Sequence, residues 1–399
     1  MQKLSVQGIN LKGKKALIRV DFNVPLDHGQ VADDTRIRAS LPTIQHVLKQ
    51  GGAAILMSHL GRPKGKPTPE FSLAPCAKHL AALLGRPVQM APDCVGLEVE
   101  KMAQALKPGD VLLLENLRFH KGEEEPKQEP GFVNALARLG DVYINDAFGS
   151  AHRAHASTTL LAQFFPGQAA AGFLMEKEIA YLGQHLLNPK HPFCAILGGA
   201  KISTKFKVIE VLMQKADVLL IGGAMATTFF QAQGISIGSS LCEPDFIGVA
   251  RQLLEVDMEP RARIVLPIDV VVAKSLDSKE GMQVIDIKAG VPEGLQIVDI
   301  GPKTIEIFAQ EMQQAALIFW NGPLGVYEFA PFAKGTQAIA ATLANQAAAT
   351  TIVGGGDSIA AIEAAGMTDR ISHISTGGGA SLELVELGTL PGIDALTNS

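Results

Sequence analysis

Short, almost wholly apolar runs recur along the chain, each followed by a turn and then a helical pattern. The first series falls at residues 16–20, 53–57, 111–114 and 141–144. A second falls at 194–197, 218–221, 264–266, 297–300, 317–320, 351–353 and 374–375. Runs that are apolar throughout, rather than alternating, suit parallel strands buried on both faces. Helical patterns between them carry the expected punctuation. Residues 34–50 open on Asp34 and close on Gly51-Gly52, and 72–84 open on Ser72 and close on Gly85. Strands alternating with helices predict open α/β sheets.

The rhythm pauses at 165–190, where Met175, Ile179, Leu182 and Leu186 mark one face of a helix ended by Asn188-Pro189. The chain therefore reads as two α/β domains of similar size joined by a helix. With 399 residues, 47% of them hydrophobic, a substantial core is available. A net charge of −5 weighs against a general nucleic-acid binder. No apolar run reaches the roughly 18 residues of a membrane span, and the N-terminus shows no apolar signal core. The four cysteines are widely spaced with no CxxC, so a disulfide scaffold or zinc ribbon is not expected and a reducing cytoplasm is.

In open α/β sheets ligands sit beyond the carboxyl ends of the strands, so the residues after each run are the candidates. In the first half these are Asp21 and Asn23; His59, Leu60, Gly61 and Arg62; Glu115 to His120; and Asn145 to Phe148. Of twelve arginines, eight precede residue 160, and the rest are Arg251, Arg261, Arg263 and Arg370. Guanidinium suits carboxylate and phosphate. Arg36, Arg62, Arg118 and Arg153 hold loop positions that point to a small, multiply anionic ligand. Arg19, Arg38, Arg86 and Arg138 read as surface ion-pair residues.

The second half has five glycine clusters: 198–199, 222–223, the Asn321-Gly322 turn, 354–356 and 377–379. Glycine lets backbone N–H groups approach phosphates, and helix N-termini favour anions. Lys201 and Lys205 lie four residues apart, and Asp357 suits a magnesium ion carried in with phosphates. Together these predict a nucleotide site. Other features lead elsewhere. The stretch 8–14 mimics a P-loop, but Lys15 stands where Ser or Thr is required, and the motif precedes its strand. His152-x-x-His155 lacks a third metal ligand, Glu123–Glu125 reads as a solvated loop, and Glu328 fits either a surface acid or a ribose contact.

At these residues the chain resembles the phosphoglycerate kinase family. RVDFNVP (19–25), SHLGRP (58–63), ENLRFHKGEE (115–124), DAFGSAHRAHAS (146–157), LGGAKISTK (197–205), WNGPLGVYE (320–328), GGGDS (354–358) and STGGGASLE (375–383) follow the family's order. The resemblance implies two Rossmann-like parallel-sheet domains that close about a hinge. Their expected bounds are 1–172 for the acid-binding domain, 173–188 for the joining helix and 189–388 for the nucleotide-binding domain, with 389–399 returning to the first. It implies a 3-phosphoglycerate site of Asp21, Asn23, Arg36, His59, Leu60, Gly61, Arg62, Arg118 and Arg153. It implies a nucleotide site of Lys201, Lys205, Gly223, Asn321, Glu328, Gly355, Gly356, Asp357 and Ser358, with Asp357 on Mg²⁺. Thr376 and Gly377 match the loop whose helix end faces the transferred phosphate. Ala224, Tyr327 and Ser358 depart mildly from the family's usual Gly, Phe and Thr.

The implied reaction is reversible, Mg²⁺-dependent phosphoryl transfer between ATP and the carboxylate of 3-phosphoglycerate, giving ADP and 1,3-bisphosphoglycerate, in a cytoplasmic glycolytic monomer. The nucleophile is already ionised at neutral pH, so no general base is needed. Arg36, Lys201, Gly377 and Gly378 are the expected catalytic groups, stabilising the moving phosphoryl. The alternatives are an ATP-dependent kinase or ligase of another small carboxylate, and a two-domain binding protein without turnover. A dinucleotide dehydrogenase is disfavoured because no GxGxxG follows the first strand.

Overall fold

A computed structural model describes residues 2–255 and 262–399, so Arg261 lies outside the described residues. The chain divides into two compact units, Met1–Gly183 with Leu387–Ser399, and Gln184–Glu386.

In the first unit the strands are β1 (Lys15–Arg19), a short ribbon of β2 (Leu26–Asp27) and β3 (Gln30–Val31), β4 (Ala53–Met57), β5 (Gln89–Met90), β6 (Val111–Leu113), β7 (Val142–Asn145) and β8 (Ala169–Ala171). Six form one parallel sheet in the order β5-β6-β4-β1-β7-β8. All five residues of β4 are buried, as the unbroken apolar run requires. Helix Thr35–Lys49 lays Ile37, Ile44 and Val47 on the core, and helix Ala74–Leu84 adds Cys76 and Leu80. The second of these helices stops at Gly85 with φ of 62°, a conformation glycine adopts without penalty. The C-terminal segment is stitched to this unit, with Gly392 N–H donating to the Ala151 carbonyl and Leu4 N–H to that of Thr397, both at 2.8 Å.

The second unit contains β9 (Phe193–Leu197), β10 (Val218–Ile221), β11 (Arg263–Val265), β12 (Asp269–Ala273), β13 (Gln283–Asp286), β14 (Gln296–Ile300), β15 (Leu317–Asn321), β16 (Thr350–Gly354) and β17 (His373–Ile374). Its parallel sheet runs β11-β10-β9-β15-β16-β17. Trp320, Phe308, Ile196 and Leu343 fill the core. The run at 297–300, expected within the parallel series, instead belongs to a separate three-stranded sheet, β13-β12-β14, with both neighbours antiparallel to β12. The buried run of β12, Asp-Val-Val-Val-Ala, is the partner that draws it there.

The segment expected to join the domains is α-helical over Phe173–Glu178 and wider, π-helical, over Ile179–His185. Met175, Ile179, Leu182 and Leu186 are all buried on it.

Candidate active site

In the first unit, β1, β4, β6 and β7 end together, so the segments that follow them converge. Arg19, expected on the surface, is 1% exposed. It closes a strand buried on both faces, which leaves its guanidinium no route to water. It donates from Nε to Ser157 Oγ at 2.8 Å, from Nη1 to the Val20 carbonyl, and from Nη2 to His59 Nδ1 at 3.1 Å. Glu123, expected in a solvated loop, is also fully buried. Its carboxylate accepts from Ser157 Oγ at 2.7 Å and Ser157 N–H at 3.0 Å. A buried charge needs such partners, and Ser157 lies between the two.

Around this pair the expected residues assemble. Arg36, expected in a loop, instead lies in the first turn of helix Thr35–Lys49, from where it donates to Asp21 at 3.0 Å and to the Asn23 carbonyl at 3.2 Å. Asn23 Oδ1 accepts from Gly61 N–H at 2.9 Å, and Arg118 donates to the Gly61 carbonyl at 2.9 Å while pairing with Glu124. Gly61 has φ of 62°, and a Cβ there would meet the Phe71 ring at 2.4 Å. Leu60 is buried, and its carbonyl accepts from Asn116, a fully buried residue of the Glu115–His120 strand-end segment. Arg62 and Arg153 are exposed.

Burial, then Arg19, Arg118, His155 and Arg36, hold the His59 pKa well below its usual value. Burial, then Arg118, Arg19, Arg153 and His152, push that of His155 down to about 4. Both rings are thereby held neutral among guanidinium groups whose summed charge favours an anion. A separate cluster brings ligand atoms of Asp93, Cys94 and His120 within 4.8 Å of one another. Both His120 ring nitrogens are already held at 2.9 Å, by Asp93 and Glu129, in a closed ion pair.

The second unit is built differently. Three strand-end turns pack backbone against backbone: Gly198 N–H donates to the Asn321 carbonyl, Gly199 to Pro323 and Gly223 to Leu324. A Cβ on Gly198 would lie 2.1 Å from the Pro323 carbonyl, and one on Gly223 2.7 Å from Gly199 N. Glycine at 198 and 223 is thus a requirement of turn packing, not of phosphate approach. Gly356, Gly378 and Gly379 have open space where a Cβ would stand.

These turns wall a cavity of about 260 Å³, apolar at Leu241, Leu276, Val298, Pro323 and Val326, with Glu328 and Asp357 among its lining residues. Leu241 and Leu276 carried no signal in the sequence. Lys201 is exposed on the loop after β9, which Ser203 ties to Glu243, another residue unread in the sequence. Lys205 is turned inward, donating to the carbonyls of Gly198 at 2.6 Å and Asn321 at 2.9 Å. Burial pushes its pKa down to about 8, against the pull of Asp357.

Asn321 Nδ2 is buried without a hydrogen-bond partner, beside Gly355. Asp357 is exposed on the first turn of helix Gly356–Ala364. Ser358 is buried and its Oγ accepts from Gly322 N–H, so its hydroxyl shapes the turn. Gly377 N–H donates to Ser375 Oγ, whereas Gly378 is exposed just before helix Gly379–Leu387.

A family model described as phosphoglycerate kinase matches residues 6–387. The chain belongs to the phosphoglycerate kinase family. Phosphoglycerate kinase from Chlamydia trachomatis serovar L2 is 52% identical over 399 residues, covering 100% of this chain and 99% of that protein. The protein of that name from Chloroherpeton thalassium is 53% identical over 401 residues, with 100% of each chain covered. Among solved structures, phosphoglycerate kinase from Coxiella burnetii has a TM-score of 0.89 at 41% identity, and that from Pyrococcus horikoshii OT3 0.83 at 33%. Each comparison covers 98% of both chains. Membership makes this a glycolytic phosphotransferase that moves a phosphoryl group reversibly between ATP and 3-phosphoglycerate. Among the described residues no helix is long and apolar enough to cross a membrane.

Proposed function

We propose that the arginine and histidine cluster of the first unit holds 3-phosphoglycerate and the cavity of the second holds the nucleotide. The observation that carries this division is chemical. One unit concentrates buried cations around His59, and the other offers apolar walls, open glycine backbone and the unpartnered Asn321 amide. A small acid with two anionic groups needs the first, and a purine base with a phosphate tail needs the second.

In this reading Arg62, Arg118 and Arg153, with His59, bind the remote phosphate of the acid. Leu60 and Gly61 form the backbone turn beneath it. Asp21 and Asn23 orient its hydroxyl and carboxylate, and Arg36 is held ready by Asp21. Gly223 walls the base, Glu328 meets the ribose, and Lys205, Asn321, Gly355, Gly356 and Ser358 shape and line the path of the phosphates. Asp357 offers the hard oxygen ligand that a magnesium ion takes, and its exposed position beside the cavity fits that role. When bound, the ion would neutralise charge on the phosphate oxygens.

The carboxylate attacks without a base. Arg36 and Lys201 stabilise the equatorial oxygens of the moving phosphoryl, with Gly378 and the helix start beyond it adding partial positive charge. Gly377 contributes turn geometry, because its N–H is engaged by Ser375. We take the enzyme to be a monomer, and the free cysteines suit a cytoplasmic location. A coupled assay with 3-phosphoglycerate, ATP and Mg²⁺ tests the proposal. ADP should form with this acid and not with other small carboxylates. Binding of both ligands without ADP formation would reject it.

A further inference from the structure

Arg19 does not belong among the residues assigned to a ligand, yet it is the most deeply buried cation of the first unit, and its Nη2 lies 3.1 Å from His59 Nδ1. A guanidinium has only donors and stays protonated at any working pH. At that contact the histidine nitrogen must therefore supply a lone pair. The ring proton is left on Nε2.

An imidazolium is excluded by the same contact, since its Nδ1–H would face an N–H of Arg19. The guanidinium groups of Arg118 and Arg36 near the ring oppose a positive charge there as well. Arg19 is itself fixed. Its Nε–H donates to Ser157 Oγ, so the single Ser157 hydroxyl proton goes to Glu123 Oε1 at 2.7 Å, and Ser157 N–H holds Oε2. The Tyr143 hydroxyl donates to the Ser157 carbonyl at 2.7 Å and locks that residue in turn. Hydrogen bonds thus run outward from Arg19, to His59 Nδ1 on one side and through Ser157 to the Glu123 carboxylate on the other, which lies 64 residues from His59 in sequence.

We propose that Arg19 is a positioning residue of the acid site: it holds His59 as the neutral Nε2–H tautomer, so that the ring meets a phosphate oxygen as a donor, and Glu123 holds Arg19 through Ser157. This rests on the reading of the cluster as the 3-phosphoglycerate site. The arrangement supplies a hydrogen bond without adding another charge to a crowded group of cations. It also makes the donor independent of pH across the neutral range, where a free histidine would titrate.

The first test uses wild-type protein with ¹⁵N-labelled histidine, the His59 ring being assigned by its loss in His59→Gln. Long-range ¹H–¹⁵N correlation should show unprotonated Nδ1 and protonated Nε2 from pH 6 to pH 8. A protonated Nδ1, or an imidazolium within that range, overturns the proposal. The second test measures binding in Arg19→Met, and in Arg19→Met with Glu123→Gln, which removes the carboxylate that the first change strands. In either variant that folds, His59 should become a tautomer mixture. The dissociation constant for 3-phosphoglycerate should rise about tenfold, the loss of one charge-supported hydrogen bond, while that for ATP stays put. Arg19→Lys keeps the charge but not the fork, and should restore less than half of that loss.

A shift in ATP affinity of the same size would mean a general loosening and would overturn the proposal. Should wild-type protein show the Nε2–H tautomer and yet bind no 3-phosphoglycerate, the reading of the site falls with the donor's target. Arg19's hold on the ring would stand.

Discussion

The two units prepare for anions with opposite materials. The first uses side-chain charge: Arg19, Arg36 and Arg118 are gathered around the neutral His59, where burial strengthens every interaction. The second uses backbone. Its turns close on one another through Gly198, Gly223 and Gly322, and the inward-turned Lys205 is already bonded to two carbonyls. The difference follows from the ligands proposed. A small acid brings no counter-charge and no large apolar surface, so the protein must supply cations. A nucleotide brings a base to be covered and phosphates that a metal ion can share. Charge is therefore concentrated in one unit, and shape in the other.

The largest expected effect tests Lys201, an exposed cation on the second unit's proposed phosphate path. Lys201→Ala should leave the fold and 3-phosphoglycerate affinity intact but lower kcat on the order of 10³–10⁵-fold, the scale of a transition-state cation in phosphoryl transfer. Turnover within about threefold of wild type would remove Lys201 from the chemistry. Next comes the first unit. Arg62 is exposed, so its loss strands no buried partner. Arg62→Ala should weaken 3-phosphoglycerate by about ten- to 150-fold, the range for a hydrogen bond to a charged group, and leave ATP unchanged. Equal weakening of both ligands in calorimetry would erase the division of labour.

A third prediction concerns glycines that look alike in sequence. Gly322 has φ of 98°, and a Cβ there would lie 2.4 Å from both the Gly198 carbonyl and Lys205 Nζ. Gly378 has φ of 55° and open space. Gly322→Ala should cost about 3 kcal/mol, from strain and overpacking together. Gly378→Ala should cost only about 1–2 kcal/mol, from backbone alone. The single tryptophan, Trp320, donates to the Gly322 carbonyl at 2.8 Å, so its fluorescence follows unfolding of this unit. Equal destabilisation would show that turn packing is not why these glycines are there.

This contrast also explains what the sequence made legible. Continuous apolar runs identify buried parallel strands because nothing else requires them, and arginines or glycines at their ends stand out by residue type. Arg19 was misread by type alone. Its position at the close of the apolar run Ala16-Leu17-Ile18 was the available sign that it is buried. Glu123 gave no such sign, since its partner Ser157 is brought near only by tertiary folding. The cavity walls at Leu241 and Leu276 were equally silent, because apolar residues in loops carry no periodic pattern. The antiparallel sheet was hidden for a different reason. The run at 297–300 has the composition of a parallel strand, and only its pairing with Val270–Ala273 reveals its direction.

The smallest effect separates the units by pH. In the first, hydrogen bonding to Asp93, against the cost of burial, and to Glu129 raises the His120 pKa to about 9. A histidine raised in the folded state binds its proton more tightly there than in the unfolded chain, whose value is about 6.5. Its contribution is therefore complete below about pH 6.5 and is lost as pH rises to about 9. In the second unit burial lowers Lys205 to about 8, below the ordinary lysine value. Here the unfolded chain binds the extra proton, so stability rises with pH from about 8 upward. Buried carboxyls lifted by desolvation to about 7, Asp146 in one unit and Asp299 in the other, give both the same slope below neutrality. Between pH 7 and 9.5 the units should consequently diverge. Hydrogen exchange in peptides around His120 should quicken, while the unfolding midpoint read from Trp320 holds or climbs by a degree or two. His120→Gln should flatten the first trend and leave the second alone. Parallel trends in both probes would show that the units unfold as one, and that the contrast in their charge does not reach their stability.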